Sequence, residues 1–226
     1  MQTFILSGKS STLSCDVIPT ILLDSSKEYE LGLLNFEAYN SIPNIEEGNN
    51  KFYVDKHTIT IPTGTYDVKA INDYLNVQLE KHNCQLILEP NLNTLKCELK
   101  CSHKVDFTKS DSIAELLGFE KKELPENERH FSEHPVNILK VNAIKVDCSL
   151  TTGSYNNGEL GHTIHEFFPA VGAGYKIIES PQNIIYLPII KIPEINCLTV
   201  RIVDQDGQLI NFREETITIR FHLKEK

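Results

Sequence analysis

Apolar and polar positions alternate with a period of two along most of the chain, the pattern of strands that bury one face. Between residues 28 and 39, Tyr29, Leu31 and Leu33 alternate and then give way to Phe36 and Ala38; the slip at Leu33-Leu34 predicts a bulge or bend. Residues 58–61 form a short alternating strand that Pro62 and Gly64 stop. Residues 139–150 alternate through Leu139, Val141 and Ala143, then Ile144, Val146 and Cys148. Shorter runs at 163–168, 175–179 and 184–187 are each bounded by Gly or Pro. The clearest pattern spans 195–223. Leu198, Val200 and Ile202 alternate with Thr199, Arg201 and Val203; after a break at Asp206-Gly207, Ile217, Ile219, Phe221 and Leu223 alternate with Thr218, Arg220 and His222. One apolar and one polar face on each strand predicts half-buried antiparallel sheet.

Two segments follow a different period. Val68, Ile71, Leu75 and Leu79 recur at helical spacing and predict an amphipathic helix over 66–82, with Thr65 placed as N-cap and Asp67 in the first turn. Residues 112–118 predict a short helix capped by Ser112, with Glu115 three residues on and Gly118 at its end. Residues 85–88 and 95–101 predict a hairpin around 89–93, and Asn156, Asn157 and Gly158 supply another hairpin turn whose residues tolerate positive φ. The charged, proline-containing stretch 120–135 predicts an exposed loop or insertion. Together these elements predict a mostly β chain: a single jelly-roll antiparallel β-sandwich of about eight strands with one or two short inserted helices. One domain is expected to span 1–226.

Composition narrows the chemistry. Hydrophobic residues make up 40% and charged residues 23% of the 226, as in an ordinary folded protein. Twenty-two basic against 31 acidic residues give −9, which repels a phosphate backbone and argues against sequence-specific nucleic-acid binding. The apolar run near the N-terminus is too short for a signal-peptide core, and the stretch 184–190 contains Pro188 and is too short to span a bilayer. The expectation is synthesis in the cytosol with no signal peptide and no membrane span. The six cysteines, Cys15, Cys84, Cys97, Cys101, Cys148 and Cys197, are then expected as free thiols, most of them buried.

Candidate chemistry is sparse. Cys97, Cys101 and His103, with Cys84 nearby, suggest zinc, but Cys97 and Cys101 in one strand stand roughly 13 Å apart, too far to share an ion. His162 and His165, with Glu166, superficially resemble a metalloprotease motif, yet strand pleating points the two histidines to opposite faces. Asp204 to Gly207 resembles a calcium loop without the required ligand spacing or the bidentate Glu, and reads instead as a Gly-containing hairpin loop. The residues assigned are therefore turn residues: Asn156, Asn157, Gly158, Asp206 and Gly207. No catalytic, cofactor-binding or metal-ligating residue is assigned.

A set of motifs in a fixed order resembles one family. In the second half these are Gly153-Ser154-Tyr155-Asn156-Asn157-Gly158, His165-Glu166-Phe167-Phe168-Pro169, Gly174-Tyr175-Lys176-Ile177-Ile178-Glu179, Pro181, and Ile185-Tyr186-Leu187-Pro188. The ending runs from Val200-Arg201-Ile202-Val203 through Asp204-Gln205-Asp206-Gly207 and Ile210-Asn211-Phe212-Arg213 to the 217–223 strand. In the first half, Phe52-Tyr53-Val54, the run 61–66 and the segment 113–119 fit too. This series resembles the penton-like minor capsid protein of Polinton (Maverick) elements, which are virus-like DNA transposons. The resemblance implies a non-enzymatic structural protein of a virion. It would self-associate into a homopentamer at the vertices of an icosahedral shell and contact a double jelly-roll major capsid protein. Two other classes remain from the residues themselves: a cellular β-sandwich that binds a carbohydrate or peptide, poorly supplied with stacking platforms because Trp is absent, and a cupin-like metalloenzyme built on His162 or His165.

Overall fold

Three long strands open the chain: β1 (Gln2–Gly8), β2 (Thr12–Leu22) and β3 (Tyr29–Tyr39). They are followed by β4 (Lys51–Val54), β5 (His57–Thr60), α1 (Val68–Leu79), β6 (Leu86–Asn91), β7 (Lys96–Cys101), β8 (Val105–Asp106), α2 (Ala114–Leu117), β9 (Glu123–Leu124) and β10 (Arg129–Phe131). The remainder is β11 (Ile144–Cys148), β12 (Ser154–Asn156), β13 (Glu159–Gly161), β14 (Thr163–Phe167), β15 (Lys176–Glu179), β16 (Tyr186–Pro188), β17 (Glu194–Val203) and β18 (Ile217–Glu225). The computed structural model describes residues 2–226.

These elements form two compact units, Met1–Ile42 with Val141–Lys226, and Pro43–Lys140. The second is inserted in the chain between β3 and β11. Where the sequence reading has one domain over 1–226, the buried side chains sort into two clusters with no member in common. The second junction falls inside the alternating run 139–150, and the first in the strand-free stretch 40–50, which is not long or biased enough in composition to read as a linker.

The first unit is an antiparallel jelly roll. One sheet runs β1-β18-β3-β15, with β16 also paired to β3, and the other runs β14-β11-β17-β2. The central strands are the ones with the cleanest alternation. Leu198, Val200 and Ile202 of β17 and Ile217, Ile219, Phe221 and Leu223 of β18 are buried and belong to one core. At its centre Phe36 is fully buried against Phe167 and Phe212, with ring centroids at 5.1 and 6.3 Å. The expected bulge in β3 is present: Arg220 faces Asn35 and Phe221 faces Leu33, which leaves Leu34 as the extra residue. Of the predicted strand 139–150, only the β11 segment pairs, held between β14 and β17.

The second unit contains both helices, the sheet β5-β4-β8-β9 and the sheet β10-β7-β6. Val68, Ile71, Leu75 and Leu79 of α1 are all buried, as their spacing requires. The cap is Asp67, not Thr65: its carboxylate accepts from the Ala70 N–H at 2.6 Å. At α2 the N-cap position belongs to Ile113, and Ser112 donates to the Phe107 carbonyl instead of capping. Gly118 does close α2, at φ 80. Segment 120–135 is not a plain loop: it carries β9 and β10, buries Leu124, and pairs with β8 and β7. Four of its charged residues make ion pairs: Lys122 with Glu133, Glu123 with Lys104 and Arg129 with Glu98.

Candidate assembly surface

The assigned turn residues sit in two tight turns of the jelly-roll unit. Asn157 and Gly158 take φ 51 and 87 between β12 and β13, with Asn156 paired to Glu159. Asp204 organises the second turn: its carboxylate accepts from the Asp206 and Gln208 N–H groups at 2.9 Å each, and Gly207 takes φ 80. Val203 then bridges to Leu209, so the segment folds back on itself before the chain crosses to the other sheet.

The weighed metal motifs separate in space. Cys97 and Cys101 lie in β7 and are both buried. Cys84 comes instead to Cys101, with the sulfurs 3.4 Å apart. His162 Nδ1 lies 2.6 Å from the Thr151 carbonyl oxygen, and His165 Nε2 lies 2.9 Å from Glu179 Oε1, so the two imidazoles have different partners. Among the described residues, no three His, Cys, Asp or Glu side chains converge as a metal site. The cysteines are free thiols, with four buried, Cys15 half-buried and Cys197 exposed.

The most distinctive surfaces of the jelly-roll unit are its two lateral sides. On one, β1 and β2 are the edges of their respective sheets and are joined directly through residues 9–11. On the other, the edges β14 and β15 are linked by the His165–Glu179 pair. Each side displays apolar side chains to solvent. On the first, Ile5 and Leu22 are exposed, and Ile18 is 88% exposed. Ile18 stands out because residues 17–20 loop away where β2 passes Asn196: Asp16 pairs with Cys197 and Ile21 with Ile195. On the second side Phe168, Tyr175, Ile178 and Ile185 are exposed, Phe168 at 72%. Segments 17–23 and 167–175 carry no charged residue, although 23% of the chain is charged. Exposed apolar side chains with locally depleted charge are the composition of interface cores.

Between these sides the outer face of the β1-β18-β3-β15 sheet carries a polar network, flanked by Ile5 opposite Arg220 on β1 and Ile178 opposite Glu37 on β15. Glu37 accepts from Lys176 and, at 2.6 Å, from Arg220, which also donates to Asn35. The hydrogen bond from Lys176, followed by that from Arg220, holds the Glu37 carboxyl below its ordinary pKa. Such a network orients the edge strand β15 on β3.

No protein-family model and no curated protein matches the chain. A solved structure shares its fold. The chain is similar to the crystal structure of the selenomethionine-labelled mavirus penton protein, at 12% identity and TM-score 0.50, over 100% of both chains. At that identity the likeness speaks for the fold.

A groove of about 540 Å³ lies at one end of the jelly-roll unit. Leu23, Tyr29, Ile189 and Ile192 line it, with Asp24 and Lys191 among its charged residues. No helix among the described residues is long and apolar enough to cross a membrane.

Proposed function

We propose that the chain is a structural capsid protein, a penton-like minor capsid protein of the Polinton/Maverick type. Five copies form each vertex of an icosahedral particle. The observation that carries this reading is the extent of the fold likeness: it covers the whole of this chain and the whole of the mavirus penton protein, inserted unit included.

The lateral sides supply the physical means. A ring that closes at five uses heterologous contacts, in which one patch meets a different patch on the next copy. The jelly roll offers two such patches on different edges, one around Ile5, Ile18 and Leu22 and one around Phe168, Tyr175 and Ile178. The double jelly-roll major capsid protein is the expected neighbour in the shell. The role is non-enzymatic and lies in the virion, after synthesis in the host cytosol.

Ile18→Glu and Ile178→Glu test the reading, because each places a charge at one patch without touching the core. Light scattering after size-exclusion chromatography, with the major capsid protein present, is expected to show loss of assembly for both with unchanged circular dichroism. Assembly equal to wild type in both variants would remove these surfaces from the account. The end groove is where the ligand-binding alternative has its best footing, and that reading predicts a monomer in the same experiment.

A further inference from the structure

Cys84 and Cys101 belong to the inserted unit and lie 17 residues apart in sequence, with their sulfurs 3.4 Å apart. Backbone contacts fix this meeting. The Cys84 N–H donates to the Leu79 carbonyl at 3.2 Å, which ties the segment to the last turn of α1. The Gln85 N–H donates to Ser102 Oγ at 2.9 Å, and the Ser102 N–H donates back to the Gln85 carbonyl at 3.0 Å. Leu86 stands opposite Cys101 in the β6–β7 ladder. Two thiols on separate segments are thus held face to face.

A buried cysteine is most often a small apolar filler. Two observations go further for this pair. The sulfurs need to close by only about 1.4 Å to reach bonding distance, within the reach of side-chain rotation. The residues flanking Cys84 are also exposed: Lys81, His82, Asn83 and Gln85 face solvent, and Asn83 sits at φ 53 in a short connector. Local opening of that connector uncovers Cys84 while Cys101 stays within the paired strand β7.

We infer that Cys84 and Cys101 are a redox-modifiable pair that closes to an intramolecular disulfide by exchange with a small disulfide of the glutathione class. Cys84, uncovered first, attacks the small disulfide as its thiolate. A Cys84–sulfur bond forms, the small disulfide's S–S bond breaks, and one small thiol leaves with the Cys84 proton. Cys101 then attacks the Cys84 sulfur, the mixed disulfide breaks, and a second small thiol leaves with the Cys101 proton. Two protein thiols are oxidised and one small disulfide is reduced to two thiols. Burial, with the Cys84 sulfur beside it, pushes the Cys101 thiol up to about 12, which disfavours it as the first nucleophile; its attack in the second step rests on the 3.4 Å proximity of the two sulfurs. The product ties the connector after α1 to β7 and encloses the β6–β7 hairpin. This inference stands apart from the assembly reading and concerns the inserted unit alone.

The test treats the full chain with oxidised glutathione, alkylates the remaining thiols and maps the peptides by mass. The expected result is a cross-linked peptide joining Cys84 to Cys101 and a melting temperature raised on the order of 10 °C over the reduced chain. Cys84→Ser is expected to show neither. The inference is overturned if Cys84 and Cys101 remain separately alkylatable while exposed Cys197 carries glutathione, or if either is linked to another cysteine. The mapping is read on the wild-type chain, so a variant that folds poorly leaves the result intact.

Discussion

Gly118 and Gly207 share one backbone conformation, φ 80, in two different surroundings. Replacing each by alanine therefore separates backbone strain from steric conflict. At Gly207 a Cβ would meet nothing within 4 Å. The cost of Gly207→Ala is then the strain of a left-handed L-residue, about 1 kcal/mol. At Gly118 the same Cβ would stand 2.2 Å from the His134 carbonyl oxygen and 2.9 Å from that of Pro135. A tolerable carbon–oxygen contact requires the opposing backbone to retreat by about 1 Å. That backbone is anchored: the His134 N–H donates to the Gly118 carbonyl at 2.9 Å, Val136 to Leu95 and Asn137 to Leu116 at 2.8 Å each. Weakening one or two of these bonds adds about 0.5–1.5 kcal/mol apiece, bringing Gly118→Ala to about 3 kcal/mol. Urea unfolding of the two variants beside wild type, with unchanged slope, measures the difference of about 2 kcal/mol. Equal penalties at the two sites would refute the packing of the 134–137 segment on α2.

Phe36→Ala empties the centre of the jelly-roll core and is expected to cost about 3–5 kcal/mol in urea unfolding; a loss below 1 kcal/mol would contradict the aromatic packing with Phe167 and Phe212. Glu37 has a lowered folded-state pKa, so its stabilisation is present above its ordinary value of 4.5 and is lost as pH falls through the folded value. The gap in urea midpoint between wild type and Glu37→Gln should accordingly shrink on acidification below about pH 4.5, and a gap independent of pH would count against the Lys176 and Arg220 contacts. Ile18→Glu should impair assembly while leaving the unfolding midpoint near wild type, since Ile18 is exposed; Ile178→Glu should impair assembly with a small loss of midpoint, since its carboxylate stands opposite Glu37.

Strands flanked on both sides were the most legible in the sequence. β17 and β18 lie inside their sheets; β18 buries every second residue from Ile217 to Leu223 and β17 does so from Leu198 to Ile202, so both alternate plainly. β2, an edge strand, alternates over Leu13, Cys15 and Val17 against Ser14 and Asp16, but only Leu13 is fully buried and the uncharged run 17–23 then breaks the period. α1 was readable from its four buried residues, but its cap lay two residues beyond the expected Thr65, because a Thr and an Asp are both acceptable caps and only the backbone selects one. The inserted unit was invisible because Lys140 interrupts no pattern and the stretch around Pro43 reads as an ordinary loop; what divides the units is which apolar side chains share a core. The candidate surface was hidden for a related reason. Ile18 and Ile178 look like core residues in sequence, and their exposure depends on the loop at 17–20 and on the register of β15 against β3. The Cys84–Cys101 meeting likewise follows from the β6–β7 pairing, a long-range fact that sequence spacing does not carry.

The central claim is that this jelly roll builds a closed vertex. Native mass spectrometry of the full chain, alone and with the double jelly-roll major capsid protein, measures it directly. The account predicts a discrete five-subunit species, present in at least the mixed sample and lost in Ile18→Glu and Ile178→Glu. A chain that remains monomeric in both samples would contradict it.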